Sequence, residues 1–183
     1  MNKIAWILAG ALLLPWAYVS AQQGGISVQL DAFKVSVAAG GGREVLTPAE
    51  AVLPGDTLEY RAVYKNNGKT LARNVEATLP IPAGNTAYLA DSASPRNPLA
   101  SSDGNRFEAM PLKRIVIGQD GQRQTQIVPL SEYRALRWKL GDLAAGASMT
   151  VTTRVRIATL ESAGSGPAAS DAGRKAGGNV ATR

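Results

Sequence analysis

Apolar and polar residues alternate along several stretches of the middle of the chain, and this pattern predicts β-strands. The clearest stretch is 57–66, whose apolar positions are Leu58, Tyr60, Ala62 and Tyr64. A period of two places one set of side chains against a core and the other set in water. Similar stretches at 75–79, 134–140 and 149–157 are separated by Gly, Pro, Asn and Asp residues typical of turns. The pattern predicts an all-β, antiparallel protein.

The first strand, predicted over 26–37, has an irregular pattern. Its apolar positions are Ile26, Val28 and Leu30, followed by Phe33, Val35 and Val37, so the phase slips near Asp31-Ala32. We therefore predict a bulge or bend at that point. Such a feature would allow the strand to pass from one sheet to a second one.

Three further segments are predicted from their turn residues. Segments 112–119 and 122–130 flank Asp120-Gly121, a dipeptide preferred in type I′ hairpin turns, and their many polar residues predict a surface hairpin. Segment 92–105 is rich in Ser, Pro, Asn and Asp and is predicted to be a loop. The sequence Thr47-Pro48-Ala49-Glu50 would allow one short helical turn.

Together these segments favour one domain. About seven or eight short antiparallel strands predict an immunoglobulin-like β-sandwich, which we place at residues 25–160. Trp138 alternates inward with Leu136 and Leu140, and we expect it at the centre of the core.

The beginning of the chain predicts a signal peptide over residues 1–21. Lys3 precedes an apolar run from Ile4 to Leu14, and Val19-Ser20-Ala21 has the small-x-small pattern of a cleavage site. The alternative is an uncleaved anchor, but the run is shorter than the roughly 20 apolar residues that span a bilayer. We expect a mature chain beginning at Gln22 that does not span the membrane.

The end of the chain has a different composition. Of the 23 residues from Glu161 to Arg183, 15 are Gly, Ala, Ser or Pro, and none is aromatic. Such a segment has little to bury, so we predict a flexible tail over 161–183.

Composition excludes several kinds of chemistry. The 183 residues include no cysteine and no histidine, which rules out disulfides, thiol nucleophiles and the usual general base. The sequence has no Gly-x-Ser-x-Gly or Ser-x-x-Lys motif. A Ser–Lys or two-carboxylate site could still assemble in space without a motif, but no residue pattern supports one. We predict a protein that is not an enzyme and has no cofactor.

The formal net charge is +6, so the basic residues are candidates for binding an anionic partner. Arg137, Lys139, Arg154 and Arg156 occupy the predicted outward positions of the last two strands. If these strands pair as a hairpin, all four share one sheet face that could hold an anionic glycan or a membrane surface. The alternative is a solvated face with cross-strand charge pairs, in which Glu76 would lie beside Arg137 or Lys139.

Loop residues offered two other candidate sites. Pro54, Gly55 and Asp56, and likewise Asn66-Asn67-Gly68, are explained by turn geometry. Asp91 and Asp103-Gly104-Asn105 could supply oxygen ligands to calcium, but the Asp-x-Asp-x-Asp spacing is absent. We therefore predict no metal site.

Several of these segments carry a recognisable pattern. They are Val52-Leu53-Pro54-Gly55-Asp56-Thr57-Leu58-Glu59-Tyr60, Tyr64-Lys65-Asn66-Asn67-Gly68, Ala72-Arg73-Asn74-Val75, Leu79-Pro80 with Pro82-Ala83-Gly84, and Leu136-Arg137-Trp138 with Leu140-Gly141-Asp142-Leu143-Ala144-Ala145-Gly146. The pattern, over about 46–157, resembles the bacterial and archaeal "conserved repeat" domain, or domain of unknown function eleven. The resemblance implies an immunoglobulin-like module of exported or surface proteins. This chain has a single copy and an additional hairpin at 112–130.

The sequence thus favours an exported, non-catalytic structural or interaction module in the periplasm or at the cell surface. Its partner would be an envelope protein or an anionic surface polymer, with no nucleic acid and no small-molecule substrate. The alternative function is binding of an anionic glycan or membrane through the basic face.

Overall fold

The computed structural model describes residues 25–38 and 40–159. This part of the chain contains eleven β-strands and no α-helix; its helical residues form one 3-10 turn, Leu130–Glu132. The strands are β1 (Ile26–Val37), β2 (Glu44–Pro48), β3 (Thr57–Asn66), β4 (Ala72–Pro80), β5 (Thr86–Tyr88), β6 (Leu99–Ser101), β7 (Glu108–Ala109), β8 (Lys113–Ile117), β9 (Arg123–Ile127), β10 (Ala135–Leu143) and β11 (Ser148–Ile157). The signal peptide and tail predicted at 1–21 and 161–183 lie outside the described residues.

The strands form two sheets and a separate hairpin. The five-stranded sheet has the order β2-β1-β3-β11-β5, and the four-stranded sheet has the order β4-β10-β6-β7. Strands β8 and β9 pair with each other. Every pairing between strands is antiparallel, so the predicted all-β, antiparallel class is confirmed.

The core draws on the inward face of both sheets. Leu58 and Val151 from the five-stranded sheet belong to the same buried cluster as Leu136 and Trp138 from the four-stranded sheet. Trp138 is 4% exposed, and its Nε1 donates a hydrogen bond to the Pro95 carbonyl at 2.7 Å. The predicted core position of Trp138 is confirmed, and burial of these apolar side chains is the main force that stabilises the fold.

Strand β1 corrects one prediction. Its pairing with β3 runs without a register shift from Ile26 opposite Asn66 to Val35 opposite Thr57. The predicted bulge near Asp31-Ala32 was therefore wrong, and the phase slip turns Phe33 to the outer face beside Glu59. The Arg61 guanidinium lies 5.1 Å from the centre of the Phe33 ring, which explains how an aromatic residue is accommodated there.

Two other predictions also change. Residues Glu44–Pro48 form an edge strand paired to β1, and no helical turn is found at 47–50. The predicted loop 92–105 contains strand β6, which pairs with both β10 and β7. In each case a neighbouring strand supplies hydrogen bonds that the local composition does not reveal.

No helix within the described ranges is both long and apolar enough to cross a membrane.

Candidate functional site

The predicted basic face is divided between the two sheets. Strand β10 carries Arg137 and Lys139 in the four-stranded sheet, whereas β11 carries Arg154 and Arg156 in the five-stranded sheet. The prediction that β10 and β11 pair as a hairpin was therefore wrong, and the four basic residues do not share one face. The connection between β10 and β11 crosses from one sheet to the other, and its Gly146 N–H donates to the Asn66 carbonyl on β3 at 2.8 Å.

Arg154 is held by two glutamates on its own sheet. Its Nη1 and Nη2 donate to the two carboxylate oxygens of Glu44 at 2.9 and 2.7 Å, and its Nε donates to Glu59 at 3.1 Å. Hydrogen bonding from Arg154 lowers the pKa of Glu44, while the two carboxylates raise the pKa of Arg154. The charge of Arg154 is thus neutralised within the protein.

Arg137 is also occupied. Its guanidinium lies 3.7 Å from the centre of the Phe107 ring, and its Nε donates to Thr78 Oγ1 at 3.0 Å. Glu76 lies 3.9 Å from Arg137 and directly opposite Lys139, so its predicted place beside them is confirmed. Among the described residues no carboxylate lies within 4.0 Å of Lys139 or Arg156, but these two exposed cations are on different sheets.

The calcium candidates organise a loop. Asp103 Oδ1 accepts hydrogen bonds from the backbone N–H groups of Asn105 and Arg106, each at 2.8 Å, and from the Ser101 hydroxyl at 2.8 Å. Because these donors stabilise the ionised form, they lower the pKa of Asp103 to about 2. Across 25–38 and 40–159 the acidic residues form no group of three or more that could hold a metal ion.

The motif residues at the strand ends have clear structural roles. Gly55 has a φ of +87°, and the Asp56 carboxylate accepts the Leu53 N–H at 2.8 Å and pairs with Lys34 at 2.8 Å. Asn66 is buried, and its Nδ2 donates to the carbonyls of Thr70 and Leu143. The motif residues at 53–56 thus form a turn, and Asn66 links separate segments through hydrogen bonds.

The β8–β9 hairpin carries three of the eight exposed large hydrophobic residues of the described chain. Ile115, Ile117 and Ile127 are 67%, 67% and 62% exposed. Cross-strand pairing places Ile127 opposite Lys113, and Ile117 opposite Arg123, so these five side chains share one face. We call this set, together with Thr125, the isoleucine face. Clustered exposed apolar side chains with polar groups around them are a common feature of interaction surfaces.

The edges of this hairpin are also open. The Val128 N–H donates to the Leu112 carbonyl at 2.9 Å, and the Gly118 N–H donates to the Gln122 carbonyl at 2.8 Å. Because hydrogen-bonded and non-hydrogen-bonded pairs alternate, the backbone groups of Lys113, Ile115 and Ile117 point away from β9. No other described strand pairs with β8 at that edge.

The hairpin was predicted from the sequence, but its apolar face was not. Its existence and surface position are confirmed. The type I′ turn is not: Gly121 has a φ of +75°, but Asp120 has no positive φ, and the Gly118–Gln122 hydrogen bond closes a three-residue loop. The alternation of Ile115 and Ile117 was the available signal for an apolar face, although a pattern cannot show whether that face is covered.

Comparison with protein-family models, with curated proteins and with solved structures gives no match for this chain.

Proposed function

We propose that this protein is an exported, non-catalytic interaction module of the bacterial envelope, built on an immunoglobulin-like β-sandwich and delivered by a cleaved signal peptide. The observation that carries the proposal is the isoleucine face, which leaves three large aliphatic side chains about two-thirds exposed on a hairpin outside both sheets.

An exposed face of this kind is costly in water unless a partner covers it. Burial of a fully exposed isoleucine contributes about 1.5–3 kcal/mol. Each of these side chains is 62–67% exposed, so its burial by a partner contributes correspondingly less. The hairpin supports such a role because its strands pair only with each other among the described strands, so they can contact a partner without disturbing the core. Two facing antiparallel sheets and the resemblance to the conserved repeat domain support the immunoglobulin-like assignment.

The alternative function, binding of an anionic glycan or membrane through four basic residues, has less support. Arg154 is neutralised by Glu44 and Glu59, and Arg137 stacks on Phe107. The exposed Lys139 and Arg156 lie on different sheets and cannot form one binding face.

Site-specific photo-crosslinking in intact bacteria tests the proposal. A photoreactive residue at Ile117 should yield discrete adducts in the envelope fraction. The same residue at Thr150, an exposed position on the outer face of β11, is the matched control. Adducts at both positions, or at neither, would contradict an interaction surface on the hairpin.

A further inference from the structure

We infer that the free edge of β8 binds, by antiparallel strand addition, an extended segment of a partner protein that presents aliphatic residues and one acidic residue on the same face. This inference rests on the proposed interaction function and names the chemistry of its partner. It is carried by three features of β8: an open backbone edge, an apolar face and an unpaired cation.

The backbone edge has the geometry that strand addition requires. The N–H and C=O groups of Lys113, Ile115 and Ile117 point outward, and among the described residues no hydrogen bond uses them. Their side chains belong to the isoleucine face. A partner strand would therefore gain main-chain hydrogen bonds and aliphatic contacts from the same three residues.

The hairpin is also an incomplete sheet. A two-stranded hairpin has marginal stability in water, and a third strand with an apolar face is what gives independent stability. Strand β8 has the sequence Lys-Arg-Ile-Val-Ile, without proline or glycine, so its composition favours pairing. A third strand on β8 would cover Ile115 and Ile117 from the side.

The unpaired basic residues on the isoleucine face favour an acidic partner. Lys113 and Arg123 lie on the isoleucine face, and no described carboxylate lies within 4.0 Å of either side chain. Arg114, on the opposite face, is already paired with Glu132. An acidic residue opposite Lys113 would complete a cross-strand charge pair, whereas a second copy of this hairpin would bring further cations.

A lipid surface fits less well than a protein strand. The outward N–H and C=O groups of β8 and β9 would lose water in the hydrocarbon region without gaining partners. A protein strand satisfies the groups at the edge that it occupies. The open edge thus favours a partner with a backbone of its own.

The register gives a peptide probe. In antiparallel pairing the partner residues opposite Ile117, Ile115 and Lys113 follow one another at alternate positions. The acetylated and amidated peptide Thr-Val-Thr-Val-Thr-Glu presents valine to both isoleucines and glutamate to the lysine. The control peptide has lysine in place of the final glutamate.

Nuclear magnetic resonance titration of the uniformly ¹⁵N-labelled protein is the test. The glutamate peptide should shift the amides of Lys113, Ile115 and Ile117, and the lysine peptide should bind about tenfold more weakly. Lys113→Glu should reverse this preference. Equal binding of the two peptides, or shifts confined to the β9 edge, would overturn the inference.

A pair of proline variants isolates the edge. Ile115→Pro removes one outward N–H from the β8 edge without touching the β8–β9 hydrogen bonds, and it should abolish the amide shifts. Thr125→Pro does the same at the β9 edge and should leave binding intact. The β8 edge would be excluded as the binding site if both proline variants lost binding and Lys113→Glu failed to reverse the preference between the two peptides.

Two other occupants of the β8 edge, a second copy of this chain and a lipid surface, are alternative outcomes of the test. Concentration-dependent dimerisation through β8, or binding of vesicles containing phosphatidylglycerol with no binding of the peptide, would replace the acidic strand by a second copy or by lipid. If the peptide fails while Ile117 still crosslinks to an envelope protein, the interaction function stands and the inferred partner chemistry is wrong.

Discussion

Asn66 shows how one buried polar side chain can fasten several segments. It is 1% exposed, its Nδ2 donates to the carbonyls of Thr70 and Leu143 at 2.8 and 2.9 Å, and its Oδ1 accepts the Gly68 N–H at 2.9 Å. These bonds join the end of β3 to the following turn and to the end of β10.

We expect Asn66→Ala to lower the free energy of unfolding by about 2–3 kcal/mol, because it removes the buried hydrogen bond to the Leu143 carbonyl and two part-buried hydrogen bonds, to Thr70 and from Gly68. Urea denaturation measures the change. Asn67→Ala is the control, since the exposed Asn67 side chain makes one hydrogen bond, to Ser27 Oγ, and its loss should cost less than about 1 kcal/mol. Equal effects would contradict the fastening role.

The Asp103 carboxyl predicts a pH dependence. Its pKa falls from 3.8 to about 2 in the folded protein, because the N–H groups of Arg106 and Asn105 and the Ser101 hydroxyl bind the ionised form. A lowered pKa contributes stability that is fully present above the unfolded value and is lost as the pH falls through the folded value. Stability should therefore decline between about pH 4 and pH 2.

Titration of the side-chain carboxyl carbon by nuclear magnetic resonance measures this pKa directly. Asp103→Asn removes the titrating group, so the variant should lose less stability on acidification than the native protein does. A pKa near 4 for Asp103 in the folded protein would show that the loop hydrogen bonds do not stabilise its ionised form.

At the scale of the element, the β8–β9 hairpin should show a two-residue pattern of amide protection. The N–H groups of Arg114 and Val116 point toward β9, whereas those of Ile115 and Ile117 point to solvent. Hydrogen exchange should therefore be fastest at the outward amides, and slower throughout β3, which has a neighbour on each side. Uniform protection along β8 would mean that its edge is already covered.

Strand β1 shows a second effect at the scale of the element, the conservation of register along a strand. Once β1 pairs in continuous register with β3, every residue beyond the phase slip keeps its face, including Phe33 and Val35. The register is stabilised along its whole length by backbone hydrogen bonds and by inward residues such as Leu30. An outward aromatic residue beneath Arg61 costs less than breaking that ladder.

For the whole molecule, the hairpin should be dispensable for folding. Residues 113–127 pair with neither sheet, whereas the flanking Leu112 and Val128 are buried. Replacing 113–127 with a short Gly-Ser linker should leave cooperative thermal unfolding intact, with a midpoint within about 5 °C of the native one. Loss of the cooperative transition would show that the sheets depend on the hairpin.

Leu136→Ala is the contrasting change, because it removes a side chain from the core and not from the hairpin. Leu136 is 0% exposed and belongs to the cluster shared by both sheets. Removing its side chain should lower the free energy of unfolding by about 2–5 kcal/mol, measured by urea denaturation. An effect below about 1 kcal/mol would mean that the sheets do not rely on this cluster.

Sequence reasoning succeeded where the information is local. The alternation in β3, β4, β10 and β11 follows directly from the period of two, and it located Trp138 in the core. The hairpin was likewise predicted from a turn between two strand-like segments. These features depend on residues close together in the chain, so their pattern is visible without a structure.

The sequence by itself determined that this chain forms antiparallel strands with an apolar inner face, and that it has neither thiol nor imidazole chemistry. Only the tertiary structure decided which strands are neighbours. That choice divided the basic residues between two sheets, kept β1 in one sheet and left the isoleucine face uncovered. The physical reason is that strand pairing depends on hydrogen bonds and packing between distant residues, whereas alternation records only which side of a strand a residue occupies.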